Sequence, residues 1–366
     1  MTIYLLLILS IIFLMLLDRN KRYLISDEKR SNRILLFSFI LIYLICILRD
    51  PSVGRDIPGY KYIYEETAKI SWKDFDYVYF EHGYVFLMKI CNKLGISFQG
   101  FFAVAYAIIL YPIYLFIKKY STDKLFSALI YICYILFEFN LTGLRQAIAI
   151  SIVLLAFIAL LESRKFPKIL YVLLVLIAAS FHKSAYIALV FLPVVWIKSI
   201  SFYTITMAFG TVFSLFSRRY LFSYIKELFG KESFSVNAGL HIGGNILFML
   251  AVCILGLYFN NIRYCVSEND LIKKIESTDS DRFMLKCFMF GIVLAVFFGE
   301  ETSARSFMFF SQSMMILIPN LSLKFDKKSV FAVKIVFIVF FIIFFYFNTL
   351  KANNFDIVPY RFFWNT

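Results

Sequence analysis

Residues 125–161 read LFSALIYICYILFEFNLTGLRQAIAISIVLLAFIALL. A helix needs roughly 20 apolar residues to cross the hydrocarbon of a bilayer, so this run is read as two spans, 125–141 and 144–161, joined at Gly143. Arg145 stands at the start of the second span. A charge so close to hydrocarbon costs a few kcal/mol without a partner, which makes an arginine there a functional candidate.

The rest of the chain has the same character. Its 366 residues are 61% hydrophobic, 20% aromatic and only 17% charged, too little polar surface to cover a soluble globule. Long apolar runs with few charges recur from end to end, as helices require and barrel strands do not. The expectation is an all-α polytopic membrane protein forming one domain over 1–366, with about twelve spans. They lie near 2–17, 34–48, 100–117, 125–141, 144–161, 168–181, 184–197, 201–217, 243–260, 283–299, 306–323 and 330–347. The first is followed by Asp18-Arg-Asn-Lys-Arg without a small-residue cleavage site and is read as a retained anchor. Residues 83–94, GYVFLMKICNKL, are amphipathic and read as an interfacial or re-entrant helix.

Short cytoplasmic loops carry the excess of lysine and arginine. On that rule loops 18–33, 118–124, 162–168, 261–282 and 324–329 are cytoplasmic, and 49–99, 218–242, 300–305 and the tail 348–366 are external. The net charge of +14 follows from this bias and from attraction to anionic headgroups; it does not imply nucleic acid. Charges on short external loops have no such explanation. Arg49, Arg55, Asp56, Glu81, His82, Arg145, His182, Lys183, Arg218, Arg219, His241, Glu300, Glu301 and Arg305 all map outside, so the chemistry is expected there.

Helix direction adds to this. Arg145, His182 with Lys183, His241 and Arg305 lie near the starts of spans that run inward. Helix N-termini present unpaired N–H groups and partial positive charge, which favour phosphates. Arginine suits a diphosphate because its planar fork pairs two oxygens and keeps its proton.

Four blocks carry a family likeness: Arg49-Asp-Pro-Ser-Val-Gly-Arg-Asp56 with Tyr60, Glu81-His-Gly-Tyr84, Gly143-Leu-Arg-Gln-Ala-Ile-Ala149, and Ala178-Ala-Ser-Phe-His182-Lys-Ser-Ala185. In this order, over roughly residues 45–195, they resemble the EpsG family, which belongs with the Wzy-type bacterial polysaccharide polymerases. The resemblance implies joining of undecaprenyl-diphosphate-linked oligosaccharide repeat units on the external face of the cytoplasmic membrane. It also implies a helical, GT-C-like glycosyltransferase architecture, and a protein regulator of chain length is a candidate partner.

The residues are then expected to divide the work. Arg145 and Arg305, with Arg49 or Arg55, stabilise the leaving diphosphate; His182 or Asp56, with Glu81 behind them, takes the acceptor hydroxyl's proton. Each has a plainer alternative. Arg49 and Arg55 can be interface anchors, Asp56 can pair with either, Gly143 can serve close helix approach, His182 can cap a turn, and His82 and His241 can be polar tips. The D-x-D pairs Asp74/Asp76 and Asp279/Asp281 lack a flanking strand pattern, and the six cysteines show no paired external spacing. No cofactor or metal is therefore expected. A lipid-linked oligosaccharide flippase would line its spans with charges, which are nearly absent here; an O-antigen ligase shares the chemistry and stays open.

Overall fold

The computed structural model describes residues 1–19, 28–72, 78–162, 165–229, 244–261, 264–268, 271–275, 279–298, 300–325 and 329–364. Side chains at 19, 218–219, 221–229, 244–246, 260–261, 264–268, 271–275 and 300–304 lie outside that description. Contacts group the chain into two compact units, residues 1–186 with 327–366, and residues 187–326.

The first unit holds ten helices among the described residues. They are α1 (Thr2–Arg19), α2 (Glu28–Ile47), α3 (Ile57–Lys69), α4 (His82–Lys93), α5 (Phe98–Tyr120), α6 (Lys124–Cys133), α7 (Ile135–Thr142), α8 (Leu144–Glu162), α9 (Pro167–Phe181) and, late in the chain, α16 (Ser329–Phe344). A π-helical turn, Phe345–Lys351, extends α16. The second unit holds α10 (Ile187–Val195), α11 (Ile200–Phe229), α12 (Gly244–Asn261), a hairpin of β1 (Tyr264–Glu268) and β2 (Leu271–Ile275), α13 (Asp279–Phe298), α14 (Glu300–Ser311) and α15 (Met314–Ser322).

Among the described residues α2, α5, α8, Ile200–Ser217 and Ser329–Lys351 are long and apolar enough to cross a membrane, and α6 with α7, bent by 59°, makes a further one if taken together. Twelve spans are not reached by this measure, because several apolar helices are short or interrupted. Thr2–Asp18, Pro167–Phe181, Lys183–Val195 and Leu247–Phe259 are the shorter apolar stretches, and the expected span 306–323 is divided between α14 and α15. Residues 261–282, expected as a loop, contain the β1–β2 hairpin in antiparallel register. The expected interfacial segment 83–94 is α4, which buries Tyr84, Val85, Met88 and Cys91.

Neither proline nor glycine stands at the break between α6 and α7. It falls at Tyr134, whose backbone is extended and caps both helices; its ring packs against Phe341 and Phe344 of α16. The break lets α7 end at Gly143, short of α8, with its last carbonyls facing inward. Tyr106 donates to the Asn140 carbonyl at 3.1 Å, and Arg49 donates to that of Leu141 and, at 2.8 Å, to the Tyr106 hydroxyl. Arg49 is fully buried, with Phe102 and Tyr106 rings beside its guanidinium. The 48–56 segment and the C-terminal tail then close over this point. Asp50 N–H donates to Arg361 O, Phe363 N–H to Leu48 O, Gly54 N–H to Asp356 O and Arg55 N–H to Phe355 O. Gly54 is required: its φ is +105°, and a Cβ would stand 2.9 Å from the Leu141 carbonyl oxygen.

Two further polar clusters of the first unit involve the sequence features singled out above. Loops expected to be cytoplasmic meet through Lys119 and Tyr120 on Glu162 and Lys124 on Asn32 and Glu28; Lys334 of the expected span 330–347 pairs with Asp123, and Arg30 donates to the carbonyl of Leu17 at the end of the expected span 2–17. The four sequence blocks meet separately, as described below.

In the second unit α13 is the central helix, packed on α10, α11, α12, α14 and α15. Gly291 admits α14, since a Cβ there would meet Phe307 and Phe310 at 3.1 Å. Lys286 donates to the carbonyls of Val195 and Ile197 at the end of α10. Asp281 accepts from Asn320 at 2.7 Å and pairs with Lys324 at 3.6 Å, so this member of a D-x-D pair serves packing.

Replacing Arg49 by Ala is expected to leave the Leu141 carbonyl and the Tyr106 hydroxyl without this buried donor, at about 1–3 kcal/mol for each group left unsatisfied. Thermal unfolding in detergent checks this; an unchanged melting temperature would remove the structural role.

Candidate functional site

Residues of all four sequence blocks gather at Arg145 and its partner Glu81. Arg145 is the second residue of α8, half-buried, and its Nη1 donates to Glu81 Oε2 at 2.6 Å across 64 positions of sequence. Its guanidinium lies 4.1 Å from the Phe80 ring centroid and 5.8 Å from that of Tyr60. Phe80, Tyr60 and Tyr84 pack edge to face around it, a favourable setting for a planar cation. The Arg145 Nε is buried with no hydrogen-bond partner among the described residues.

Glu81 precedes α4 in extended conformation. While Oε2 holds Arg145, Oε1 accepts the Lys183 backbone N–H at 3.2 Å. One carboxylate thus bridges the start of α8 and the turn after α9. Burial by itself would push the Glu81 carboxyl up; the Arg145 charge, with backbone N–H groups, outweighs it and holds the group below the usual carboxylate range.

His182 ends α9 and opens the turn Lys183–Tyr186. Its Nδ1 accepts the Ser184 backbone N–H at 3.3 Å and lies 2.6 Å from Ser184 Oγ. An Nδ1 that accepts leaves the proton of the neutral ring on Nε2. In this arrangement Nε2 of His182 carries a proton instead of a free lone pair.

Gly83 makes the convergence possible. A Cβ there would fall 2.3 Å from Ser180 Oγ and 2.8 Å from the Ser180 carbonyl oxygen, so only glycine lets the start of α4 reach the last turn of α9. The opposite side of α4 is tied to α3. Lys89 donates to the carbonyls of Ile70 and Ser71 beyond the end of α3, and Asn92 donates to Tyr64 O at 2.9 Å.

The other expected residues separate by role. Asp56 is exposed at the start of α3, with its backbone N–H on Thr142 Oγ1 at 3.1 Å. Arg55 is exposed and pairs with Asp356 at 3.2 Å. Arg49, expected as a diphosphate ligand, is instead enclosed: at 0% exposure its donors are directed to the Leu141 carbonyl and Tyr106. Arg305 is exposed on α14 in the second unit. His241, Asp74 and Asp76 lie outside the described residues, as do the side chains of Arg218, Arg219, Glu300 and Glu301. Cys46, Cys91, Cys133, Cys253 and Cys287 are buried free thiols. Sequence reasoning passed over Phe80 and Ser184. Phe80 directly precedes a recognised block and Ser184 lies within one, so adjacency was the available signal.

The family comparison agrees with the blocks that meet here, since the EpsG family model matches residues 32–362. The chain belongs to the EpsG family. No match was found among curated proteins or among solved structures. For an EpsG-family chain with several long apolar helices, the assignment is a membrane protein of polysaccharide biosynthesis, and membership suggests a glycosyltransferase-like polymerase. The match extends well past the four blocks, through the whole second unit.

Gly83→Ala is expected to insert in the membrane yet lose most polymer synthesis, because the added methyl drives α4 away from α9. Adding Ser180→Gly removes the hydroxyl contact but not the carbonyl at 2.8 Å, so rescue should be partial. Polymer on a gel beside protein level on a blot reads both; full activity of the single variant would show that the close approach is dispensable.

Proposed function

We propose that this chain joins undecaprenyl-diphosphate-linked oligosaccharide repeat units into a surface polysaccharide at the external face of the bacterial cytoplasmic membrane. The observation that carries the reading is the half-buried Arg145 at a helix start, with the Lys183 N–H beside it on the same carboxylate. Those are donors for an anion held at the edge of an apolar bundle.

In the proposed reaction the growing chain on its lipid diphosphate is the donor, and a hydroxyl of a fresh lipid-linked repeat attacks. Negative charge gathers on the leaving diphosphate, where Arg145 and His182 Nε2–H stabilise it. Within the same unit, Arg55 is the proposed second cation, available if its pair with Asp356 opens. Arg49 holds the frame instead of the substrate. The proton of the attacking hydroxyl falls to a carboxylate, Asp56 or Glu81. The reaction needs no metal, because arginine supplies the positive charge directly. Lipid tails enter sideways between helices, and a chain-length regulator is the proposed protein partner. The flippase and ligase readings lose ground to the family match.

The proposed orientation is supported by the segregation of the basic loops from the Arg145 cluster. In a background without native cysteines, cysteine in place of Tyr79, which is 90% exposed, should react with an impermeant thiol reagent in intact cells. Cysteine at exposed Lys165 should be protected. The reverse pattern would put Arg145 in the cytoplasm and end the proposal.

Arg145→Lys keeps the charge but not the planar fork. It should insert normally and polymerise about a hundred- to a thousandfold more slowly, the usual loss for a preorganised donor to developing charge. Full-length polymer at normal protein level would reduce Arg145 to an anchor.

A further inference from the structure

The Glu81 carboxylate sits where an anionic substrate is expected to bind. It bridges two donors that converge from different elements, Arg145 Nη1 on α8 and the Lys183 N–H after α9, at 2.6 and 3.2 Å. Both charged side chains are largely enclosed, at 12% and 19% exposure. Arg145 gives the carboxylate one hydrogen bond instead of a two-pronged contact, and its Nε has no partner among the described residues. A phosphate, with more oxygens and more charge, engages such a fork more fully.

We propose that Glu81 is a built-in substitute for the substrate's phosphate: it occupies the Arg145 donors until a lipid diphosphate displaces it, and once displaced it is the base for the acceptor hydroxyl. This rests on the reading of Arg145 as a diphosphate ligand. A single guanidinium does not neutralise a diphosphate and a carboxylate together, so binding one loosens the other. Released from Arg145, Glu81 remains in a part-buried setting in which burial favours its protonated form. The groups facing it are Arg145 on α8, His182 and Lys183 after α9, Tyr60 on α3 and its neighbour His82.

The step then balances. The acceptor O–H proton passes to a Glu81 carboxylate oxygen as the acceptor oxygen bonds to the anomeric carbon. The bond from that carbon to the diphosphate oxygen breaks, and its electron pair leaves with the diphosphate onto Arg145 and the Lys183 N–H. Base formation is thereby coupled to donor binding: without donor, Glu81 stays locked to Arg145 and takes no proton.

The test is binding of inorganic diphosphate to the full chain in phosphatidylcholine nanodiscs, beside polymer synthesis by the same variants. Glu81→Gln removes the competing charge while its amide oxygen still accepts from Lys183. It should bind diphosphate about ten- to a hundredfold more tightly, the range expected for a hydrogen bond to a charged group, yet lose polymer synthesis about a hundredfold or more. Glu81→Asp, too short to bridge both donors, should also bind more tightly and covers the case in which Glu81→Gln fails to fold. Equal or weaker binding by a folded Glu81 variant overturns the proposal and makes Glu81 a positioning residue. Arg145→Lys separates the two ideas. If it leaves diphosphate binding unchanged, the diphosphate reading of Arg145 fails; if it weakens binding while the Glu81 variants do not strengthen it, only the substitution by Glu81 fails.

Discussion

A helix that stops inside an apolar bundle leaves carbonyl oxygens with no water to satisfy them, and α7 stops in this way. Arg49 and Tyr106 supply the missing donors at Leu141 and Asn140. Because the guanidinium is buried, everything around it must fit closely: Gly54 passes beside it in a conformation that other residues rarely adopt, and the C-terminal tail pairs with its backbone at Phe362. The outcome is a rigid seat from which α8 begins, and Arg145 is the second residue on that helix. The position of the candidate site thus depends on a second arginine that does not enter it.

The site itself is built on competing demands. Arg145 near hydrocarbon needs a counter-charge to be tolerated, and in the proposed role it needs an open donor face to hold a substrate. Glu81 meets the first demand through a contact that uses only part of the fork. Phe80 and Tyr60 flank the guanidinium with their rings. His182 is treated similarly: Ser184 occupies Nδ1 and so determines which nitrogen carries the proton. In both cases a neighbour fixes the orientation of the side chain.

Much of this was legible in the chain. Hydropathy alone pointed to long apolar helices, because about 20 apolar residues have few other solutions, although five or six candidate spans are found among the described residues where twelve were expected. The distribution of lysine and arginine separated two sets of loops, and these sets do gather separately in the first unit. The strings around Glu81, Arg145 and His182 were recognisable, and they meet. Where helices break was less legible, since Tyr134 carries no proline or glycine signal and is held by rings from α16.

What the sequence by itself determined is the class of protein, a helical membrane protein with several long apolar segments, and the short list of residues worth attention. Those follow from local composition, which is a property of neighbours along the chain. Tertiary structure alone decided which arginine serves the frame and which faces an anion. Arg49 and Arg145 look alike in sequence, each at the edge of an apolar run, and the difference lies in partners far away: Tyr106 and Leu141 for one, Glu81 for the other. A guanidinium's role is set by the acceptors that reach it, and those are brought by folding.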